Sequence, residues 1–267
     1  MFIEVESIKY HVQTRGNGKP LVCLHGFSED ISTWDLFCLE GYQLVLIDLI
    51  GHGKSDKPKY KKYYRLQTIQ KHLHILIHQL GFDKYSILGY SMGGRIALAY
   101  ALTYLKEVEM LILESTTYGE CGWISRMKRR SQDIMLAMKI KCNGIDWFNT
   151  YWGDLQIFQS QKMLSVKKQV EIKNRRLRNV PFALANTLLE NSQGKVPCLK
   201  NQIKVLPMPI LYISGEIDEK YTQMGADFQK RNLNIEHIII NQAGHNTHIE
   251  DNQAFINIIE KHVKGMK

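Results

Sequence analysis

A serine, an aspartate and a histidine occur in this chain where the local sequence would place each at the end of a strand. Ser91 lies in Gly89-Tyr90-Ser91-Met92-Gly93, between the apolar run Tyr85-Ser86-Ile87-Leu88 and a helix-like stretch from Arg95 to Leu102. The G-x-S-x-G pattern suits a sharp strand-to-helix turn that exposes the serine oxygen, with glycines where the backbone is crowded. Asp218 follows Pro209-Ile210-Leu211-Tyr212-Ile213-Ser214, and Glu216 is a rival carboxylate two residues away. His245, in Ala243-Gly244-His245, follows Ile235 to Ile240, with His248 three residues on. A serine hydroxyl is protonated at neutral pH, so an imidazole must take its proton and a carboxylate must hold that imidazole in the right tautomer. Developing negative charge also needs donors. The amide of Met92, after the serine, and that of Phe27, in the loop His25-Gly26-Phe27 after the run Leu21 to Leu24, are the expected oxyanion pair.

These side chains need strands to carry them. Ile3, Val5, Ile8, Tyr10 and Val12 alternate with polar residues, as half-buried antiparallel strands do. The runs Leu21 to Leu24, Leu44 to Ile47, Ile87 to Leu88 and Met110 to Leu113 are short and nearly continuous, which suits strands covered on both faces. Leu66, Ile69, Leu73, Leu76 and Leu80 recur at helical spacing and end at Gly81. Strands alternating with helices imply a mainly parallel sheet with crossover connections. A strand at Ile210 to Ile213, a helix near Thr222 to Arg231, a strand at Ile235 to Ile240 and a helix around Ala254 to Val263 complete the expected order. With Ser, Asp and His in that sequence, the order is that of α/β-hydrolases. The expected fold class is therefore an α/β-hydrolase fold, a mainly parallel central sheet flanked by helices, with a helical lid inserted after the sixth strand. Residues 1–117 and 207–267 make the core, and residues 118–206 the lid.

Charge sets the insertion apart. The 267 residues carry a net charge of +9, yet residues 118–206 alone hold 16 bases and 6 acids, and the remainder is close to neutral. Aromatic-interleaved basic runs and nucleic-acid motifs are missing, so a nucleic-acid partner is not expected. Gly51-His52-Gly53-Lys54-Ser55 ends like a phosphate-binding loop, but Asp48 stands where that motif requires glycine. The five cysteines, Cys23, Cys38, Cys121, Cys142 and Cys198, are scattered without a C-x-x-C pair. That argues against a disulfide framework or a structural zinc site and for reduced thiols filling space. No apolar stretch is long enough for membrane insertion. Met1-Phe2-Ile3-Glu4-Val5-Glu6 lacks the basic-then-apolar order of a signal peptide, so a cytoplasmic location is expected.

Leu88-Gly89-Tyr90-Ser91-Met92-Gly93-Gly94-Arg95, Leu113-Glu114-Ser115-Thr116 and Gly244-His245-Asn246-Thr247-His248 together resemble the 2-succinyl-6-hydroxy-2,4-cyclohexadiene-1-carboxylate synthases of menaquinone (vitamin K2) biosynthesis. The resemblance extends through Ile157-Phe158-Gln159-Ser160-Gln161 and the Gly215-Glu216-x-Asp218-x-Lys220 stretch. It implies a lyase that removes pyruvate from 2-succinyl-5-enolpyruvyl-6-hydroxy-3-cyclohexene-1-carboxylate, without a cofactor or metal. The implied partner is this small tricarboxylate anion, and the chain is expected to act as a monomer or weak homo-oligomer. Guanidinium groups bind carboxylates through paired hydrogen bonds. The resemblance assigns that role to Arg95, Arg130 and Arg176, with Arg129 and Arg175 as rivals. It also implies Trp152 as an apolar wall against the substrate ring, with Tyr90 and Lys220 as further contacts. Here Tyr151 precedes Trp152 and Gly153 follows it, where the family often has an aromatic after the tryptophan. A serine hydrolase of a small carboxylate-bearing ester or carbon-carbon bond would use the same three catalytic residues.

Overall fold

The computed structural model describes residues 1–265. Eight strands form one sheet in the order β1-β2-β4-β3-β5-β6-β7-β8. β1 (Phe2–Val5), β2 (Ile8–Arg15) and β4 (Tyr42–Ile47) are joined antiparallel, whereas β4, β3 (Lys19–Leu24), β5 (Tyr85–Tyr90), β6 (Val108–Glu114), β7 (Ile210–Gly215) and β8 (Ile235–Ile240) run parallel. The fold class is that expected from the alternation of runs and helices.

Period-2 geometry sorts each apolar run between two cores. Val22 and Leu24, Val45 and Ile47, Leu111 and Leu113, and Ile210 and Tyr212 point to one face, under α1 (Leu66–Gln79) and α2 (Met92–Thr103). Leu21 and Cys23, Leu44 and Leu46, Met110 and Ile112, and Leu211 and Ile213 point to the other, where Trp34, Phe37, Phe255 and Ile259 cover them. Continuous apolar runs are thus needed because both faces are dry.

Between β6 and β7 the chain leaves the sheet. α3 (Trp123–Gly153) is two helices merged across a non-helical Gly144, and α4 (Val166–Leu177) and α5 (Pro181–Asn191) follow. Ala137, Ile140, Phe148, Leu184, Ala185 and Leu188 form a small core of their own. Arg175 and Arg178 tie this insertion to the loop after β3. Arg178 donates to Asp30 at 2.6 Å and Arg175 to the Ser32 carbonyl at 3.1 Å. Burial pushes the Asp30 carboxyl up, but its hydrogen bonds to Ser32 and Arg178 hold it below the ordinary carboxylate range. The last elements are α6 (Glu219–Gln229), α7 (Thr247–Glu250) and α8 (Asn252–Gly265).

One expectation is corrected. Cys121 and Cys198, at the two stems of the insertion, are joined by a disulfide with Cα atoms 5.1 Å apart, so not all five cysteines are free thiols. They lie 77 residues apart in sequence, and only the return of the insertion to the sheet brings them together. Cys23, Cys38 and Cys142 are free.

Candidate active site

Ser91 sits on the turn between β5 and α2 with φ +50° and ψ −103°, a left-handed conformation rare for a residue with a side chain. The turn is held from the neighbouring strand, since the Ser91 N–H donates to the Glu114 carbonyl at 2.9 Å and the Thr116 hydroxyl to the Ser91 carbonyl at 2.7 Å. A β-carbon on Gly93 would collide with the carbonyl oxygens of Leu24 and His25. Only glycine lets α2 start this close to β3.

Asp218 follows β7 and His245 lies in the loop after β8, so the parallel register carries both to the sheet edge where β5 ends. His245 Nε2 is 3.0 Å from Ser91 Oγ, and His245 Nδ1 is 2.6 Å from Asp218 Oδ2. Tyr221 packs against the imidazole with ring centres 4.5 Å apart. Both rivals are otherwise engaged. Glu216 is exposed and accepts from the Gln242 N–H at 2.9 Å. His248 is buried with its Nδ1 2.7 Å from Glu114 and its Nε2 2.6 Å from the Thr33 hydroxyl. That second pair braces the His245 loop against β6 from below, because Glu114 also accepts from the Thr247 hydroxyl and the His248 N–H.

A cavity of about 520 Å³ opens above the serine. Phe27 and Met92 line it, and neither backbone N–H donates to another group among the described residues. Tyr90, Arg95, Trp152, Arg176 and Lys220 line it as well. Of the neighbouring arginines in α3, Arg129 lines the cavity and Arg130 is exposed outside it, which corrects the assignment of Arg130. A single step along a helix turns a side chain by about 100°. In α4, Arg176 reaches the cavity, whereas Arg175 is spent on Ser32. Trp152 packs edge-on against Phe27, with centres 5.2 Å apart, and stacks with Phe148, so it is both cavity wall and part of the insertion core. Tyr151 stacks on Trp147 at 5.0 Å.

The charges in this cavity are unequal. Arg129 is held by both oxygens of Asp133, at 2.9 and 3.0 Å. Arg95 donates to the Asn191 carbonyl and Arg176 to Gln161 Oε1, each at 2.9 Å, and neither forms an ion pair with a carboxylate among the described residues. Burial pulls the Arg95 guanidinium down to about 10, and burial also lowers Arg176. Uncompensated buried charge is costly. Two such guanidiniums beside Ser91 give the cavity a positive field, which the buried Glu29 and Asp133 carboxylates in its lining offset from beyond ion-pair distance. Arg176 also lies 5.1 Å from the centre of the Phe158 ring.

The sequence had not pointed to Glu29, Asp133, Asn191 or Tyr221, which also line the cavity. Glu29 accepts from Asn246 at 2.9 Å through one oxygen, and the other is buried without a partner. Tyr221 had one signal, its place beside Lys220. Glu29 and Asn191 had none, because they reach the serine only through the packing of a loop and a helix end.

A serine, histidine and aspartate joined at the strand ends of a mainly parallel sheet define an α/β-hydrolase, and residues 19–252 match the alpha/beta hydrolase fold family. A Bacillus subtilis (strain 168) protein with the provisional name 2-succinyl-6-hydroxy-2,4-cyclohexadiene-1-carboxylate synthase is 34% identical over 260 residues, 96% of this chain and 95% of that protein. One of that name from Serratia proteamaculans (strain 568) is 28% identical, covering 88% of this chain and 89% of its own length. The solved structure of MenH from S. aureus superposes with a TM-score of 0.91 at 31% identity, covering 96% of this chain and 98% of that one. The chain belongs to the 2-succinyl-6-hydroxy-2,4-cyclohexadiene-1-carboxylate synthase family, a family of enzymes on the α/β-hydrolase fold.

Proposed function

We propose that this enzyme eliminates pyruvate from 2-succinyl-5-enolpyruvyl-6-hydroxy-3-cyclohexene-1-carboxylate, giving 2-succinyl-6-hydroxy-2,4-cyclohexadiene-1-carboxylate in menaquinone biosynthesis. The observation that carries this reading is the pair of buried arginines, Arg95 and Arg176, that face the same cavity as Ser91 and form no carboxylate ion pair among the described residues. An ester hydrolase needs the triad but not two desolvated guanidiniums. A tricarboxylate needs both.

In this mechanism Ser91 Oγ removes a ring proton while His245 takes the hydroxyl proton and Asp218 steadies the imidazolium. The electron pair of the broken C2–H bond forms the C2=C3 double bond, and the existing C3=C4 pair shifts to C4=C5 as the C5–O bond gives up its pair to the leaving oxygen. As charge builds toward an enolate, the Met92 and Phe27 amides stabilise it. Breaking the ring C–O bond releases enolpyruvate, which is protonated and tautomerises to pyruvate. No acyl-enzyme forms. Arg95, Arg176, Arg129 and Lys220 hold the carboxylates, Trp152 and Tyr90 flank the ring, and the insertion acts as a lid that keeps water out. The reaction calls on no cofactor. A substrate with three carboxylates does not cross a bilayer unaided, so the enzyme works where that substrate is made, in the cytoplasm. Among the described residues no helix is long and apolar enough to cross a membrane.

The test is to incubate the purified protein with the enolpyruvyl substrate and follow pyruvate through a lactate dehydrogenase couple. Pyruvate and diene should appear in equal amounts. Hydrolysis of p-nitrophenyl esters with no pyruvate formed would replace this reading with a serine hydrolase.

A further inference from the structure

At the far end of the sheet from Ser91, three side chains with metal-binding atoms converge. His74 and His78 stand one turn apart on the same face of α1, and Glu107 precedes β6. β6 is 7 residues long, so about 20 Å of strand separates this cluster from the catalytic edge. His74 Nδ1 is 3.2 Å and His78 Nε2 is 3.4 Å from the same Glu107 oxygen, Oε2. The donor atoms of the three residues all lie within 4.8 Å of one another.

The surroundings orient these groups. Asp83, on the exposed side, lies 3.5 Å from the other ring nitrogen of His78, Nδ1. The His74 ring lies flat on Tyr104, with centres 4.1 Å apart and planes 6° from parallel. Tyr85 donates to Glu107 Oε2 at 2.7 Å and holds that carboxylate in place. A tetrahedral ion with ligands at roughly 2.0 to 2.2 Å sets its donor atoms about 3.5 Å apart, close to the two histidine–Glu107 spacings already present. Two imidazoles and a carboxylate suit a borderline divalent ion of the zinc or nickel class, whereas magnesium and calcium prefer oxygen ligands alone.

We propose that His74, His78 and Glu107 form a binding site for a divalent transition-metal ion, with solvent completing its coordination. The ion clamps α1 to the start of β6 and stabilises the fold without entering the catalytic reaction.

The experiment is calorimetric titration of tag-free protein with ZnCl2 at pH 7.5, paired with thermal melts. The proteins are wild type, His74→Ala, His78→Ala and Glu107→Gln, and MgCl2 is the control ion. The site predicts one saturable zinc equivalent that raises Tm by about 3 °C or more at saturation, with no response to magnesium. Each variant should weaken zinc binding by about tenfold or more. The half-exposed His78 can be removed without disturbing the core, so His78→Ala should keep its metal-free Tm and its catalytic turnover. Absence of saturable zinc binding below about 1 mM would overturn the proposal. So would wild-type zinc affinity in His78→Ala, which would place the ion elsewhere.

Discussion

The strand tips and the helical insertion contribute to one cavity, but they are built on different principles. At the strand tips each catalytic side chain hangs from a backbone whose position the sheet dictates. Ser91 is bonded across to β6, and Asp218 and His245 follow adjacent parallel strands. The cations reach the cavity from helices, by helix phase: Arg95 on α2 and Arg176 in the insertion have single neutral partners, Asn191 and Gln161, whereas Arg129 in the insertion is held by the Asp133 carboxylate. In the proposed mechanism the sheet supplies precision for proton transfer, and the insertion and α2 supply charge for binding. Catalytic and binding defects should therefore separate cleanly between the two regions.

The largest effect belongs to the strand tips. Ser91→Ala should lower kcat by about 10³-fold or more while leaving substrate Kd within a fewfold, and Asp218→Asn should act in the same direction. Steady-state pyruvate release and equilibrium binding read the two quantities, and near wild-type turnover in Ser91→Ala would break the comparison at its stronger side. Next come the cations. A charge-assisted hydrogen bond is worth about 1.5–3 kcal/mol, so Arg95→Ala and Arg176→Ala should each lower kcat/KM by about ten- to a hundredfold, chiefly through KM. Arg130→Ala should change it by less than about twofold. If Arg130→Ala proved as damaging as Arg176→Ala, the division of neighbouring arginines by helix phase would fail.

The smallest effect is on stability. His52 is fully buried beside His25 and Phe27, and burial, assisted by His25, pulls its imidazole down to about 3. An unfolded histidine titrates near 6.5. Between those values the unfolded chain binds a proton that the folded chain refuses. The contribution is fully present above about pH 6.5 and is lost as the pH falls toward 3. Denaturant melts across that range should show a shallower acid loss in His52→Gln, by up to about 1.4 kcal/mol per pH unit. An unchanged slope would show that the pocket behind Phe27 is not dry.

How much of this was legible follows from the distance over which each feature is decided. The Gly-x-Ser-x-Gly turn is local, and so is the apolar alternation that sorts Val22 from Cys23 between the two faces of the sheet. The choice of Arg129 over Arg130 depends on where α3 docks, which its own sequence does not state. The Cys121–Cys198 disulfide depends on two stems that meet only after the insertion has folded. Glu29 and Asn191 look like ordinary loop and helix-end residues until the cavity closes around them.

What the residues determined alone was the order of strands and helices, the serine of the triad with a short choice of carboxylate and imidazole partners, and the excess of positive charge between β6 and β7. Each of these is written in short-range pattern, in 2-residue and 3.6-residue periods and in the steric demands of a tight turn. Tertiary structure decided which cations face the serine, which of them keep a carboxylate and which are left bare. Those outcomes depend on packing between elements far apart in the chain, where a rotation of one residue along a helix exchanges cavity for solvent.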